Sequence, residues 1–123
     1  MPEDFLDDSY GGMGDVASYM DLCQEVEQEI EELRQHEYRA AECERDYRMS
    51  VTTKTASERM HGTPVTIISD LCRGDSEIAR LKLNWKKAEA DAKASSHLIF
   101  LKKDQMAMLK EIINHEWFRP SNA

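Results

Sequence analysis

The stretch MHGTPVTIISDLCRGD, residues 60–75, separates two long segments that are rich in Glu, Lys, Arg and Ala. It holds two of the five glycines and one of the three prolines in the chain. Gly62 suits the position just after a helix end, where a left-handed backbone is common, and Thr63 and Pro64 suit the N-cap and first position of the next helix. With residues 65–72 as a short apolar helix, the stretch is predicted to form a capped corner.

The segment before the corner has apolar residues at seven-residue intervals, which predicts one long helix from an N-cap at Asp15 to about Met60. The main row is Tyr19, Val26, Leu33, Ala40 and Tyr47, and Cys23, Ile30 and Val51 fill the offset positions. The offset row fails at Glu37 and Glu44, so this is not the pattern of a regular two-stranded coiled coil.

The segment after the corner predicts a second long helix, which begins at an Asp75 cap after Gly74 and ends near residue 117 or 118, before Pro120. Its main apolar row is Ile78, Trp85, Ala92, Ile99, Met106 and Ile113, broadened by Leu81, Ala88 and Leu109. Ser95 and Lys102 interrupt this face. A second apolar row on a neighbouring face comprises Leu98, Leu101, Met108 and Ile112, with Trp117 as a further apolar residue at the helix end.

These elements predict an all-α fold, a long antiparallel helical hairpin of coiled-coil type with a short helix at the corner. The predicted register sets residue i opposite a residue near 137 minus i. This register brings two patches of small residues together, Ala40, Ala41 and Cys43 against Ala92, Ala94, Ser95 and Ser96. The second apolar row needs a cover that one hairpin does not provide, so we expect a homodimeric helical bundle or a bound protein partner.

The domain organisation predicted from this pattern is a flexible acidic N-terminal arm over residues 1–14, a single helical-hairpin domain over residues 15–118 and a tail over residues 119–123. The formal net charge is −8, and residues 1–33 hold eleven acidic side chains and no basic one. Such a segment repels nucleic-acid phosphates and attracts basic protein surfaces. The acidic residues predicted to form a partner-binding helix face are Asp21, Glu25, Glu27, Glu29, Glu31 and Glu32.

No motif for catalysis, metal or cofactor binding is found in the sequence, so we expect a protein that is not an enzyme and has no cofactor. Cys23, Cys43 and Cys72 are widely spaced and form no Cys-x-x-Cys pair, which indicates reduced cysteines rather than a zinc site or disulfides. No secretory signal and no apolar run of membrane-spanning length is present, so a cytoplasmic location and no membrane association are predicted.

Two runs, GTPVTIISDLCRGDSEIARLKLNWKKAEADAKAS at 62–95 and LKKDQMAMLKEII at 101–113, carry a resemblance to a known group. Over residues 55–116 the chain resembles the small helical-hairpin accessory proteins of bacteriophages and prophages. The resemblance implies a non-enzymatic accessory protein, in the cytoplasm of a host bacterium, that binds a nucleic-acid-processing protein. It could inhibit a host defence nuclease, as anti-CRISPR proteins do, through the acidic face. The alternatives are an adaptor in phage recombination or replication and a structural scaffold that forms a bundle.

Overall fold

The structure, a computed structural model, describes the backbone of residues 12–117 and the side chains of residues 14–116. Within that range the chain forms three α-helices and no β-strand, which confirms the all-α prediction with two long helices and one short one. Helix α1 is Gly12–Met60, α2 is Val65–Gly74 and α3 is Ser76–Trp117. Residues 1–11 of the predicted arm, the tail and the Trp117 side chain lie outside the described part. None of the described helices is long and apolar enough to cross a membrane.

The first helix begins three residues earlier than the sequence pattern indicates. Residues 12–14, predicted as part of the arm, are helical, and Asp15 lies in the first turn of α1 instead of at its N-cap. A carboxylate in the first turn interacts favourably with the unpaired N–H groups and the positive end of the helix dipole. The same side chain therefore favours a helix start on either side of it.

The end of α1 is fixed by a left-handed glycine, as predicted. Gly62 has a φ of 80°. The Thr63 N–H donates to the Glu58 carbonyl at 3.0 Å, and the Gly62 N–H donates to the Arg59 carbonyl at 3.1 Å. These two bonds are those of a Schellman motif, in which two of the last helical carbonyls are satisfied by the chain that leaves the helix.

The start of α2 differs by one residue from the prediction. Pro64, with a ψ of 134°, occupies the N-cap position, and no side chain caps the helix. The Thr63 hydroxyl, predicted to be that cap, instead donates to the Glu58 carboxylate at 2.7 Å. As a cap the Thr63 oxygen would have accepted a backbone N–H, whereas here the hydroxyl donates to a charged acceptor, which engages Thr63 with the preceding helix.

The start of α3 confirms the predicted cap. The Asp75 carboxylate accepts a hydrogen bond from the Ile78 N–H at 3.0 Å, and the Ala79 N–H donates to the Asp75 carbonyl at 2.9 Å. The Lys54 ammonium lies 3.4 Å from the Glu58 carboxylate and 3.6 Å from the Asp75 carboxylate. A single lysine therefore links the last turns of α1 to the first turn of α3.

The described chain divides into two compact units. The corner unit is residues 32–94, which include all of α2. The terminal unit, in its described part, is residues 12–31 and 95–117. The single hairpin domain over residues 15–118 stays a prediction.

The inward face of α1 matches one predicted row fully and the other only in part. The main row from Tyr19 to Tyr47 is at least half-buried throughout. In the offset row Cys23, Glu44 and Val51 are half-buried, but Ile30 and Glu37 are exposed. The positions one residue earlier are half-buried or buried, at Leu22, Glu29, His36, Cys43 and Ser50. The inward face of α1 is therefore broader than the predicted rows, and near its middle it contains Glu29 instead of Ile30.

The inward face of α3 includes the two residues that were predicted to interrupt it. Ser95 is buried and Lys102 is mostly buried, on the same side as the buried Ala88 and Ile99. The polar positions therefore do not break the inward row of α3.

The helix pairing in the corner unit is displaced from the predicted register. The Tyr47 and Trp85 ring centroids are 5.5 Å apart, and Arg39 lies 3.9 Å from Asp91. The predicted register would place residues 90 and 98 at those positions. The contact of Lys54 with Asp75 shows that α1 runs past the start of α3, and α2 packs beside the excess turns, with Thr55 Oγ1 3.8 Å from Cys72 Sγ.

Candidate interaction surfaces

The core of the corner unit is a small apolar cluster at the junction of all three helices. Its buried members are Ile68 and Cys72 of α2 and Ile78 of α3, and Tyr47 and Val51 of α1 pack against them. The high apolar content of one face of α2 explains why this short helix docks there, since its inward residues recur at intervals of three to four. The cluster fixes where α2 lies against both long helices.

The aromatic pair beside this cluster is partly covered by cations. The Lys86 ammonium lies 4.2 Å from the centroid of the Trp85 ring, and the Arg48 guanidinium carbon lies 5.7 Å from it. Both distances suit cation–π attraction. This arrangement holds Lys86 at the edge of the groove described next.

A groove of about 760 Å³ opens over the cluster in the corner unit. It is lined by Tyr47, Val51, Thr55 and Arg59 of α1, by Val65, Ile68, Ser69, Cys72 and Arg73 of α2, and by Ile78, Ala79, Lys82, Leu83 and Lys86 of α3. Four of these side chains are basic and none is acidic. The groove therefore has an apolar floor and a cationic rim. Sequence reasoning did not identify it, although the spacing of four from Tyr47 to Arg59 marks one stripe of α1.

The hydrogen bonds of the corner shift the pKa values of three charged groups. The hydrogen bond from the Thr63 hydroxyl, followed by that from Lys54, lowers the pKa of Glu58 below its ordinary value. The Ile78 N–H, followed by the charge of Lys54, lowers the pKa of Asp75. The hydrogen bond to Glu58, with the charge of Asp75, raises the pKa of Lys54. Each group is thus held in its charged form at neutral pH.

The second apolar row of α3 is exposed in the terminal unit. Leu98, Leu101, Met108 and Ile112 expose 38%, 59%, 65% and 43% of their surfaces. At about 100° per residue, the row lies roughly 100° around the helix from the inward face. Trp117, predicted to extend this surface, contributes no described side chain. The other four residues are only partly covered within the described chain, while their role in association stays a prediction.

The acidic residues of α1 form two stripes instead of the one predicted face. Asp21, Glu25 and Glu32 fall within about 40° of one another at 3.6 residues per turn, and Glu27 and Glu31 lie on a second stripe roughly 120° away. All five are exposed. Glu29 is buried on the inward face. Glu25 flanks that face, with its carboxylate 3.5 Å from the Lys102 ammonium.

The small residues of the long helices line a second groove of about 720 Å³ in the corner unit. Ala40 and Ala41 of α1 and Ala90 and Ala92 of α3 are among its lining residues. The neighbouring Ala88 is completely buried. Small side chains from both helices thus share one region, although the helix register differs from the prediction.

Neither the described side chains nor the comparisons with other proteins identify a metal site or a catalytic site. Among the described residues, no group of three or more His, Cys, Asp or Glu side chains could hold a metal ion. Cys23, Cys43 and Cys72 are free thiols, and Cys72 is buried. Comparisons with protein-family models, with curated proteins and with solved structures give no match for this chain. The resemblance to phage accessory proteins stays a prediction.

Proposed function

We propose that the chain is a non-enzymatic protein-interaction protein, built as an antiparallel helical hairpin that associates with a second copy through the exposed apolar row of α3. The observation that carries this proposal is the exposure of Leu98, Leu101, Met108 and Ile112. They follow one another at intervals of three, seven and four residues, which places them on one face of the helix. The contact of Tyr47 with Trp85 and that of Arg39 with Asp91 support antiparallel pairing, because a later residue of α1 meets an earlier residue of α3.

The physical reason for association is the free energy of covering these side chains. Burial of a Leu, Ile or Met side chain contributes about 1.5–3 kcal/mol relative to full exposure. These four side chains are already partly covered and expose 38–65% of their surfaces, so two identical rows that meet around a twofold axis gain roughly 6–12 kcal/mol in all, which is comparable to the entropy lost on pairing. A four-helix bundle is the simplest assembly with this property.

The test of self-association is the molar mass in solution, measured by light scattering after size exclusion. The wild-type chain is expected at twice its mass of 14.2 kDa. Leu101→Lys and Met108→Lys should each give the single-chain mass while retaining their helical circular dichroism. The matched control is Phe100→Lys, since Phe100 is equally exposed but lies off the row. A wild-type monomer, or a Phe100→Lys variant that dissociates as readily as Leu101→Lys, would refute the proposal.

A second proposed role is that of an accessory protein that modulates a nucleic-acid-processing protein through its acidic surface. The exposed carboxylates of Asp21, Glu25 and Glu32 on one stripe of α1 support it, because a basic nucleic-acid channel attracts such a surface. An inhibitor of a CRISPR effector nuclease and an adaptor of phage recombination are the two forms that this role takes. In the inhibitor, the acidic stripe occupies a nucleic-acid channel.

The experiment for this second role measures complex formation and DNA cleavage or strand exchange with a panel of CRISPR effector nucleases and phage recombination proteins. Asp21→Asn with Glu32→Gln should weaken binding strongly. Glu27→Gln with Glu31→Gln, on the other stripe, is the matched control and should bind nearly as well as wild type. A complex that is insensitive to salt and to the first set would refute the acidic surface, and absence of any complex would favour a scaffold.

A further inference from the structure

The groove of the corner unit combines two properties that together specify a ligand. Its floor is the apolar cluster of Ile68, Cys72 and Ile78, and its edges carry the exposed apolar side chains of Val65 and Leu83. An apolar cleft of this size, about 760 Å³, is large enough to receive several side chains of a bound segment. The apolar part of a ligand would thus be covered from three helices.

The rim of the groove is cationic even though the chain as a whole is acidic. Arg73 is paired with Asp70 at 2.5 Å, and Lys86 is paired with Glu89 at 3.2 Å. Neither Asp70 nor Glu89 lines the groove. Arg59 and Lys82 make no ion pair with any residue in the described part of the chain. A ligand that places carboxylates beside these four cations and apolar side chains on the floor would match the groove in both respects.

The N-terminal segment of this chain has that chemistry. Residues 1–11, MPEDFLDDSYG, carry four acidic side chains and no basic one, and they include Phe5, Leu6 and Tyr10. The number of acids equals the number of basic side chains that line the groove. The described residues that follow this segment, 12–31, belong to the terminal unit, whereas every residue that lines the groove belongs to the corner unit. The groove of a second copy presents the same apolar floor and basic rim to this segment.

We propose that the corner groove binds residues 1–11 of a second copy of this chain, with Phe5, Leu6 and Tyr10 on the apolar floor and the four carboxylates beside the basic rim. This inference rests on the proposed self-association, and it adds a second contact to it. The segment then acts as a clamp that joins two molecules at a place other than the apolar row of α3. Such a bivalent arrangement raises the effective concentration of each contact.

The experiment is a titration of a fluorescein-labelled peptide of residues 1–11 with the full-length chain, followed by fluorescence anisotropy. To leave the groove open, the chain carries Phe5→Ala, Leu6→Ala and Tyr10→Ala. Saturable binding is expected, and it should be weaker with the wild-type chain because its own segments compete. A peptide in which the four acids are replaced by their amides should bind at least several-fold more weakly, and high salt should have the same effect.

The groove is assigned by paired charge reversals in the full-length chain. Arg59→Glu with Lys82→Glu should raise the Kd for the peptide about tenfold or more, since both side chains line the groove and are exposed to solvent. The matched control is Lys103→Glu with Lys110→Glu, which changes the charge equally on exposed residues outside the groove. Circular dichroism confirms that each variant is folded.

The outcomes separate this inference from the proposed function. No saturable binding, or equal loss of binding in the groove variant and the control, would overturn the groove assignment. A chain that is monomeric but binds the peptide only through Arg59 and Lys82 would refute both the association through α3 and the second copy as the occupant, while the groove would stand as the binding site of the segment. A chain that is dimeric but does not bind the peptide would refute the groove assignment alone.

Discussion

The corner unit and the terminal unit use the same two long helices but differ in what stabilises them. The corner unit has a third helix, a cluster of buried apolar residues and a chain reversal whose caps are satisfied by hydrogen bonds. The terminal unit has Val26 and Ile99 buried, but Glu29 and Ser95 are buried as well, while large apolar side chains of α3 face solvent. The corner unit is therefore stabilised by an apolar cluster to which all three helices contribute, whereas the described core of the terminal unit combines apolar with polar side chains; large apolar side chains are exposed in both units.

The largest expected effect is a cavity in the corner cluster. Ile68→Ala should lower the free energy of unfolding by about 3 kcal/mol, because Ile68 is buried between all three helices. The matched control is Ile67→Ala on the same helix, whose side chain is exposed and should change stability by less than about 0.5 kcal/mol. Urea denaturation followed at 222 nm measures both. Equal effects of the two variants would show that α2 is not anchored by this cluster.

The next prediction compares alanine substitutions at the two glycines of the chain reversal. Gly62→Ala should destabilise the protein by about 1–2 kcal/mol, since its φ of 80° is unfavourable for a residue with a Cβ atom. Gly74→Ala is the matched control, because Gly74 lies at the end of α2 with no atom near an added Cβ. That variant should stabilise by up to about 1 kcal/mol through the lower entropy of the unfolded chain. Thermal unfolding distinguishes the two signs, and a tolerated alanine at residue 62 would contradict the described turn.

The terminal unit should respond in the opposite direction to an apolar substitution. Glu29→Leu replaces a buried carboxylate on the inward face by an apolar side chain and should stabilise by about 1 kcal/mol. Glu27→Leu, at an exposed position of the same helix, is the control and should be near neutral. If Glu29→Leu destabilises the fold while Glu27→Leu does not, the buried carboxylate makes a contact that the terminal unit requires. That result would contradict the prediction.

The smallest expected effect is the pH dependence of the corner. The pKa values of Glu58 and Asp75 are lowered by their hydrogen bonds, so their contribution to stability is present at neutral pH and is lost as the pH falls through the lowered values. The pKa of Lys54 is raised, so its contribution is present at neutral pH and is lost only as the pH rises through that raised value. Stability should therefore be flat near neutrality and fall in acid.

The Thr63 hydroxyl is the main cause of the low pKa of Glu58, and its removal sharpens this prediction. Thr63→Val should move the Glu58 titration to higher pH, as measured by NMR of the carboxyl carbon, and reduce the loss of melting temperature in acid. Thr66→Val, at an exposed position of α2, is the control. A wild-type Glu58 that titrates at its ordinary value would remove the basis for this network.

What the sequence predicted correctly depends on short-range interactions. The turn at Gly62 and the cap at Asp75 are made by groups within five residues of each other, so the local sequence is sufficient to identify them. The existence of two long helices follows in the same way from intervals of seven residues. The boundary at Asp15 was wrong because a carboxylate is favourable at several positions of a first turn.

What the sequence did not predict depends on contacts between helices. The rotation that exposes Ile30 and buries Glu29 depends on the helix that packs against α1, and the residues of α1 alone do not contain that contact. The helix register depends on how far α1 extends beyond α3, which the docking of α2 determines. The cationic groove joins residues of three helices, from Tyr47 to Lys86, and no single segment contains its pattern.

Oxidative footprinting of the methionines in the wild-type chain, with single-hit peroxide exposure and mass spectrometry, reports whether a second copy covers the apolar row of α3. In the described chain Met108 is 65% exposed, similar to Met49 at 61%, and Met60 is 87% exposed. If a second copy covers the apolar row of α3, Met108 should oxidise several-fold more slowly than Met49 and Met60 at high protein concentration, and Leu101→Lys should restore its rate. Equal rates for Met108 and Met49 in the wild-type protein at high concentration would contradict the account.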